Sequence, residues 1–294
     1  MSDRTGGHLE VLSTGPLALL EDLGRRGHAG IGVGRSGAAD RGALRLANRL
    51  VANPEELAAI EITFGGLGVV ARGCDVWVAV VGASVPLRVD RSAEAARSVV
   101  LLRDGQQLSV GPPEHGLRSY LAVRGGFDVV ATLGSRSADI MSDIGPGPLA
   151  VGDLLPIGPA PSDFPLLDHA PAIPRQKGIV TLGVVRGPRD EWIEDPDLLV
   201  HTTWSASDRS NRVGMRLEGE RLAYQPGRED EQLPSEGAYR GAIQVPSGGQ
   251  PVVFLADHPV TGGYPVVAVV IDADVDRAAQ VRPGQSLRFR WVQP

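Results

Sequence analysis

The amino-acid sequence predicts a mainly β protein with a few short helices, arranged as two domains. Its 294 residues are about twice the typical length of one domain. Glycine (38 residues) and proline (23 residues) are abundant without a collagen-like period, which favours short strands and turns over long helices. Hydrophobic residues make up 42% of the chain and charged residues 22%, as in ordinary globular proteins. Closed barrels or sandwiches are the expected architecture.

The N-terminal third combines a glycine-rich region with helices. Ten glycines in the range Gly6–Gly42 predict a looped segment whose backbone approaches another group closely. Asp40 is suited to cap a helix. The apolar face of that helix is formed by Ala43, Leu44, Ala47 and Leu50. A second, short helix is predicted after it, because Asn53, Pro54 and Glu56 form a capping-box pattern.

Short strands punctuated by glycine and proline account for most of the remaining chain. The predicted strands are Leu9–Leu12, Ile60–Phe64, Val76–Val81, Val85–Val89, Ser98–Leu102, Gln107–Val110, Arg118–Val123, Ile179–Val185, Ala242–Val245, Val252–Leu255, Val266–Ile271 and Leu287–Val292. Six prolines among residues 156–174 predict a tethering linker. We therefore expect an N-terminal β domain, barrel or sandwich, at residues 1–158, a linker at 159–176 and a C-terminal β domain at 177–294.

Charge, cysteine and histidine content exclude several kinds of function. A net charge of −6 argues against binding to nucleic acid or to an anionic membrane. No apolar run is long enough to span a membrane, and the N-terminus lacks the pattern of a secretory signal. The single cysteine, Cys74, fits the reducing cytoplasm, where we expect this protein to be located. The six histidines lack the spacing of metal ligands, so no metal site is expected.

Nucleotide-binding motifs are incomplete in this chain. Lys177 is the only lysine, and it lies neither in a phosphate-binding Walker A sequence nor in the context of a biotin-carrying lysine. Residues Gly32–Gly37 match G-x-G-x-x-G, but no buried strand precedes them. These glycines are interpreted as a loop that packing shapes, or as the lining of a pocket for another ligand.

Charged residues flank the glycine-rich loop. Asp22 and Arg25 lie before it, and they are candidate substrate-binding residues, since a guanidinium offers a fork of donors to a carboxylate. The alternative is a solvated cluster of surface charges.

A second polar segment, Ser207–Leu217, is the best candidate for holding an anion. The residues proposed to bind the substrate there are Arg209, Asn211, Arg212 and Arg216. Strand alternation predicts that Arg212 and Arg216 share one face. The alternative is a polar loop that leads into an edge strand.

Two C-terminal segments complete the candidate site. Asp257, at a strand end, is a candidate catalytic residue, either as a general base or as the partner that orients a nitrogen donor. Thr261 is the second candidate catalytic residue, because its hydroxyl and the following amides are suited to an oxyanion. The proposed substrate-binding residues here are Gln244, Gly262, Gly263 and Tyr264. The alternative is a tight loop whose aspartate caps its own backbone.

Nine short motifs, in order along nearly the whole chain, resemble one family. They are Glu21–Arg25, Ser36–Asp40, Ala47–Leu50, Ile60–Thr63, Arg124–Gly126, Leu133–Ser137, Ser210–Leu217, Gln244–Pro246 and Thr261–Pro265. The family is the allophanate hydrolase subunit 2-like family, which includes the C subunit of bacterial 5-oxoprolinase and part of the carboxyltransferase region of urea carboxylase. Glu21 stands where glutamine is usual, and Ala39 and Val213 stand where methionine is frequent.

The resemblance implies two tandem cyclophilin-like β-barrels and a role as the C subunit of a heteromeric, ATP-dependent 5-oxoprolinase. That enzyme would open the lactam of 5-oxoproline to glutamate, together with an A subunit and a B subunit, the latter of the allophanate hydrolase subunit 1-like type. ATP would be bound with or by the partner subunits, and the isolated chain, monomeric or a homo-oligomer, is expected to be inactive.

Two alternatives to the enzyme subunit stay open. One is a regulatory binding protein that antagonises a kinase inhibitor. The other is the carboxyltransferase half of a urea-carboxylase-type system, which requires a separate biotinylated protein.

Overall fold

The computed structural model describes residues 6–164, 169–171, 178–228 and 231–293, which pack into two compact units. Unit 1 comprises Met1–Arg25, Asp40–Asp139 and Asp143–Arg175. Unit 2 comprises Arg26–Ala39, Ile140–Ser142 and Gln176–Pro294. Two short pieces of the N-terminal half therefore pack with the C-terminal half. Of the predicted linker, residues 165–168 and 172–176 lie outside the described residues, and the predicted domain limits stay a prediction.

Unit 1 consists of two antiparallel sheets with a hydrophobic core. Its strands are β1 (His8–Thr14), β2 (Leu17–Glu21), β3 (Ala59–Thr63), β4 (Leu67–Arg72), β5 (Val76–Ser84), β6 (Leu87–Val89), β7 (Ser92–Glu94), β8 (Val99–Leu102), β9 (Gln107–Val110), β10 (His115–Val123) and β11 (Leu154–Pro156). A six-stranded sheet has the order β11-β1-β4-β9-β6-β7, and a five-stranded sheet has the order β2-β3-β10-β5-β8. Both sheets contribute valines and leucines to the core, for example Val69 on β4 and Val78 on β5.

The first predicted helix is confirmed as α1 (Arg41–Leu50), which packs on β5 and β10. The Asp40 carboxylate accepts a hydrogen bond from the Ala43 amide at 2.9 Å, so Asp40 is the N-cap. The predicted apolar face, which includes Leu44 and Ala47, is buried. Amphipathic spacing and a capping residue were therefore sufficient to predict this element.

The second predicted helix is wrong, because residues 53–58 form turns. The Asn53 amide donates to the Val123 carbonyl (2.7 Å) and to Asn48 Oδ1 (3.0 Å), while Asn53 Oδ1 accepts from the Gly125 amide (2.8 Å). Its side chain therefore joins segments that are distant in sequence and does not cap a helix. The same residue types that form a capping box can instead hydrogen-bond to backbone groups of other segments.

Unit 2 is a closed barrel. Its elements are β12 (Val180–Arg186), α2 (Leu198–His201), β13 (Trp204–Ala206), β14 (Gly214–Glu218), β15 (Glu236–Gly237), β16 (Ala242–Gln244), β17 (Val252–Phe254), β18 (Thr261–Gly262), β19 (Val266–Val270), α3 (Asp272–Ala278) and β20 (Ser286–Trp291). Seven strands close in the order β12-β19-β16-β17-β14-β13-β20, with β12 and β20 parallel. Strands β15 and β18 form a separate pair. Trp204 is fully buried in the barrel core.

The predicted fold class, mainly β with a few short helices, is confirmed. Each predicted strand overlaps an observed one, and their ends differ by at most three residues. The prediction missed several short strands, among them β2, β4, β13 and β14, and it missed helix α3.

Candidate functional site

Asp22, directly after β2, holds together two of the sequence motifs in unit 1. Its Oδ1 accepts hydrogen bonds from the hydroxyls of Ser135 and Ser137, both at 2.6 Å, and from the Gly24 amide at 2.7 Å. Its Oδ2 accepts from the Arg136 amide at 2.6 Å. A carboxylate with four donors is fully engaged, so Asp22 fixes the shape of this loop cluster.

Arg25 is enclosed beside the same cluster, with 1% of its surface exposed. Its Nη2 donates to the Ser137 carbonyl, whereas its Nε and Nη1 have no hydrogen-bond partner among the described residues. Burying a charged donor without an acceptor is costly, and such groups in native proteins call for an explanation. Asp22 and Arg25 are therefore not the solvated surface charges that the alternative interpretation described.

Gly145 allows the close packing around Arg25. Its φ is +90°, and a Cβ at this position would lie 2.1 Å from the Ser137 carbonyl oxygen and 3.0 Å from Arg25 Nη2. Only glycine fits both the left-handed backbone and the available space.

A further buried polar cluster in unit 1 was not predicted from the sequence. The Tyr120 hydroxyl donates to Glu61 Oε2 at 2.6 Å and accepts from the Asp40 amide at 2.7 Å, and Arg118 Nε lies 3.4 Å from Glu61 Oε1. Burial raises the pKa of Tyr120 well above its ordinary value, and the charge of Glu61 raises it further. The signal in the sequence was the charge of Glu61 between two isoleucines in a strand that is buried on both faces.

In unit 2, Arg212 and Asp257 form a buried ion pair. Arg212 Nε donates to Asp257 Oδ2 at 2.8 Å, and Arg212 Nη2 donates to Oδ1 at 2.9 Å. The two side chains are at most 1% exposed. The pairing continues the β14–β17 ladder, because the Asp257 amide donates to the Arg212 carbonyl at 3.0 Å. Removing one partner of such a pair typically costs about 3–5 kcal/mol, because the other charge is left buried and unpaired.

Ser36 completes this ion pair, and its role was missed by the sequence reasoning. Its hydroxyl donates to Asp257 Oδ1 at 2.6 Å, and Arg212 Nη2 also donates to the Gly37 carbonyl at 2.8 Å. Ser36 is fully buried with φ +53°, a left-handed conformation that costs a non-glycine residue about 1–2 kcal/mol. A charge-assisted hydrogen bond contributes about 1.5–3 kcal/mol, so the two bonds together outweigh the strain.

The other predicted residues of Ser207–Leu217 do not converge on the ion pair. Arg209, Asn211 and Arg216 are exposed. Asn211 Oδ1 accepts from the amides of Val213 (2.9 Å) and Gly214 (3.2 Å), which makes it a turn residue. The prediction that Arg212 and Arg216 share a face is wrong, because Arg212 precedes β14 and is buried whereas Arg216 lies on the strand and is exposed.

Gln244 and the 261–264 loop form a separate group. Gln244 is buried, and its Nε2 donates to the Tyr264 carbonyl at 3.1 Å. A Cβ on Gly262 would lie 2.4 Å from this amide nitrogen, so a larger residue there would force the Gln244 side chain to shift. Thr261 is exposed on β18, and Gly263 is partly exposed beside it. Within the described residues, no hydrogen bond joins this loop to the Asp257 carboxylate.

A cavity of about 890 Å³ in unit 1 is lined by His8, Cys74, Trp77, Arg124 and Phe164, among others, and by none of the predicted site residues. Burial raises the pKa of the Cys74 thiol, and the charges of Asp104 and Asp75 raise it further. The thiol is therefore less reactive than an exposed one.

No group of three or more histidine, cysteine, aspartate or glutamate side chains in the described ranges is placed to hold a metal ion. In the same part of the chain, every helix is too short or too polar to cross a lipid bilayer.

Comparison with known proteins first places this chain in a class. Residues 31–291 match the family described as carboxyltransferase domain, subdomain A and B, and the chain belongs to that family. The structure superimposes on the Kluyveromyces lactis urea amidolyase with a TM-score of 0.91 at 30% identity, covering 99% of this chain and 19% of that one. It superimposes on the protein TTHA0988 with a TM-score of 0.88 at 30% identity, covering 99% of this chain and 57% of that one.

A curated relative of nearly the same length is more specific. The chain is 37% identical over 286 residues to the C subunit of Escherichia coli 5-oxoprolinase, and the match covers 96% of this chain and 90% of that protein. The family resemblance predicted from the nine motifs is thereby confirmed. This relative is named as a subunit of 5-oxoprolinase, whereas the chain covers only 19% of the urea amidolyase.

Proposed function

We propose that this chain is the C subunit of an ATP-dependent 5-oxoprolinase and that Arg25 receives the carboxylate of 5-oxoproline. The observation that carries the assignment of the site is the enclosed Arg25 guanidinium, with Nε and Nη1 lacking acceptors among the described residues. The similarity to the C subunit of E. coli 5-oxoprolinase supports the reaction. 5-Oxoproline carries one carboxylate beside its lactam, and a guanidinium in a water-poor site binds such a group strongly.

Glycines on both sides of Arg25 support access for the substrate. Arg25 is enclosed, so the chain around it has to shift before a ligand enters. Gly24 has φ +80° and Gly27 has φ +86°, and a Cβ on Gly27 would meet no atom within 4 Å. Glycine changes backbone conformation at little cost, so these two positions allow Arg25 to turn toward a substrate.

The arrangement favours binding and shielding over proton transfer. The Asp257 carboxylate already accepts bonds from Ser36 and Arg212, so of its two predicted roles the geometry favours orienting a nitrogen donor. The lactam carbonyl is a weak electrophile, and activation by ATP would be supplied with the A and B subunits as partners. We therefore propose that the isolated chain is inactive. The complex would act in the cytoplasm. Thr261 and the exposed arginines Arg209 and Arg216 would contribute only after this chain has assembled with the A and B subunits.

Reconstitution tests this proposal. The purified A and B subunits are mixed with ATP and 5-oxoproline, with and without this chain, and the released glutamate is measured. Glutamate release is expected only when all three are present. Equal release without this chain would refute the proposal.

Arg25 is tested in the same assay with Arg25→Ala, Arg25→Lys and the control Arg26→Ala. Arg26 is the adjacent arginine and is exposed. Loss of one hydrogen bond to a charged group predicts a KM for 5-oxoproline that is about tenfold to a hundredfold higher for Arg25→Ala. Arg25→Lys should recover part of the loss, and Arg26→Ala should behave like the wild type. An unchanged KM in Arg25→Ala would remove Arg25 from the site.

A carboxyltransferase role is the second candidate, and the family match and the similarity to a urea amidolyase favour it. It requires a biotinylated partner. Streptavidin capture from a lysate should then recover this chain together with a biotinylated protein. Recovery of the chain in that fraction, combined with no glutamate release in the reconstitution, would favour this candidate over the first.

A further inference from the structure

The glycine-rich segment, residues 26–39, has an exposed half and a buried half. Most side chains from Arg26 to Gly32 are exposed, and Ile31 is 72% exposed. Ser36 and the three residues after it are buried. A segment with so little regular structure and so many glycines has few internal restraints, so its conformation depends on what holds the buried half.

Two arginines and one aspartate of unit 2 hold that buried half. Asp257 accepts from the Ser36 hydroxyl, and Arg212 donates to the Gly37 carbonyl. Arg240 Nη2 donates to the Ala39 carbonyl at 2.9 Å. Arg240 is itself fixed, because Nη1 donates to Asp272 Oδ1 at 2.7 Å and Nη2 donates to Asp276. We call Arg212, Arg240 and Asp257 the clasp.

Ser36 bonds to the clasp through its side chain, whereas Gly37 and Ala39 use backbone carbonyls, which every residue has. Its left-handed φ of +53° is a conformation in which glycine would be unstrained. Serine at this position therefore points to a requirement for the hydroxyl rather than for the backbone alone. Asp257 Oδ1 accepts from Arg212 Nη2, and the Ser36 hydroxyl supplies a second donor to the same oxygen.

We propose that Ser36 is a positioning residue: its hydroxyl, bound to the Arg212–Asp257 pair, holds the glycine-rich segment in the conformation that turnover requires. This proposal rests on the proposed function, since turnover is the reaction of the 5-oxoprolinase complex. Ser36 acts through the clasp and does not touch the substrate. The segment begins directly after Arg25, so its conformation limits how the backbone at Arg25 can turn.

The experiment compares Ser36→Ala and Ser36→Gly in the complete complex with Ser119→Ala as a control. Ser119 is equally buried, and its hydroxyl has no hydrogen-bond partner among the described residues. Two quantities are measured: kcat/KM for 5-oxoproline, and the rate of tryptic cleavage after Arg26 and Arg35 under native conditions. Both Ser36 variants should lose about tenfold in kcat/KM and gain about tenfold in cleavage rate, which corresponds to one charge-assisted hydrogen bond.

Ser36→Gly separates the hydroxyl from the backbone, because glycine adopts the left-handed conformation without strain and keeps the variant folded. If Ser36→Gly matches the wild type in either measurement, the proposal is overturned. If Ser119→Ala produces the same losses, the effect is general destabilisation and the proposal is overturned too. Failure of the wild-type chain to support glutamate release would refute the proposed function instead, and the cleavage assay would still report on the clasp.

Discussion

At the scale of single residues, Tyr120 shows how a buried hydroxyl can link a sheet to a helix. It lies on β10, where Leu121 and Val123 enter the core of unit 1 and Tyr120 faces the other side of the sheet. Its hydroxyl donates to Glu61 and accepts from the amide of Asp40, the residue that caps α1. The phenol must be protonated to donate to a carboxylate, and its raised pKa keeps it so.

This raised pKa predicts a pH dependence of stability. Above pH 10 the unfolded chain releases the phenolic proton while the folded chain keeps it, so the free energy of unfolding falls as pH rises. Urea unfolding followed at pH 8 to 11 should show this fall in the wild type and a shallower one in Tyr120→Phe, which has no titrating group there.

The exposed Tyr239 provides the control. Tyr239→Phe should keep the wild-type slope, because the Tyr239 side chain is exposed to solvent in the folded chain. Parallel curves for the wild type and Tyr120→Phe would contradict the buried, protonated Tyr120.

The sequence identified some site residues by type, and it missed others whose roles depend on burial. Arg212 and Asp257 were candidates because guanidinium and carboxylate groups are suited to anions and protons, and the structure pairs them. Ser36 and Tyr120 have side chains that are common throughout proteins. What distinguishes them is full burial against a charged partner from a distant part of the chain, and one sequence does not reveal such contacts.

At the scale of secondary-structure elements, local sequence patterns were sufficient to predict the longer strands and α1. The turn after α1 was not predictable in this way, because contacts with distant residues fix its conformation. Strands such as β5 and β19 are apolar runs with clear ends, and these are predictable. Short strands such as β13 depend on neighbours in the barrel for their pairing, and a three-residue run carries too little pattern. Asn53 was wrongly assigned to a helix, because the partners of its side chain, Val123 and Gly125, are about 70 residues away in the sequence and local patterns do not reveal them.

Asn53→Ala should destabilise unit 1 by about 3 kcal/mol, because it leaves the Val123 carbonyl and the Gly125 amide without their partner. Urea unfolding measures the change. Asn53→Asp keeps an acceptor for Gly125 but places a carboxylate oxygen against two acceptors, the Val123 carbonyl and Asn48 Oδ1, so it should be at least as destabilising as Asn53→Ala. Asn211→Ala, which removes two hydrogen bonds in an exposed turn, should cost less than about 1 kcal/mol. Equal effects at the two asparagines would contradict this account of the turn.

At the scale of the whole molecule, unit 2 is discontinuous in sequence. All seven strands of its barrel lie after residue 178, yet the Arg212–Asp257 pair accepts a hydrogen bond from Ser36 and donates one to the Gly37 carbonyl. The predicted division at the linker follows composition, which reports where the chain is rich in proline. It does not report which segments complete a buried ion pair, so the grouping of residues 26–39 with the barrel was not predictable in this way.

This discontinuity predicts that a fragment of residues 178–294 is less stable than unit 2 of the full chain. The fragment keeps every strand of the barrel but loses the donor and the acceptor that segment 26–39 supplies to the buried pair. Urea unfolding followed by tryptophan fluorescence measures it, since Trp192, Trp204 and Trp291 all belong to unit 2. The full-length reference carries Trp77→Phe, so that its signal comes from the same three residues.

A synthetic peptide of residues 26–39 supplies the missing groups in trans. Binding to the folded fragment should raise its unfolding midpoint as the peptide concentration increases, because a ligand of the native state stabilises it by mass action. The same peptide with Ser36→Ala should need about a tenfold higher concentration for the same rise in the unfolding midpoint, since it lacks the hydroxyl that donates to Asp257. A fragment as stable as the full-length reference, or two peptides of equal effect, would mean that the barrel satisfies its buried ion pair without this segment.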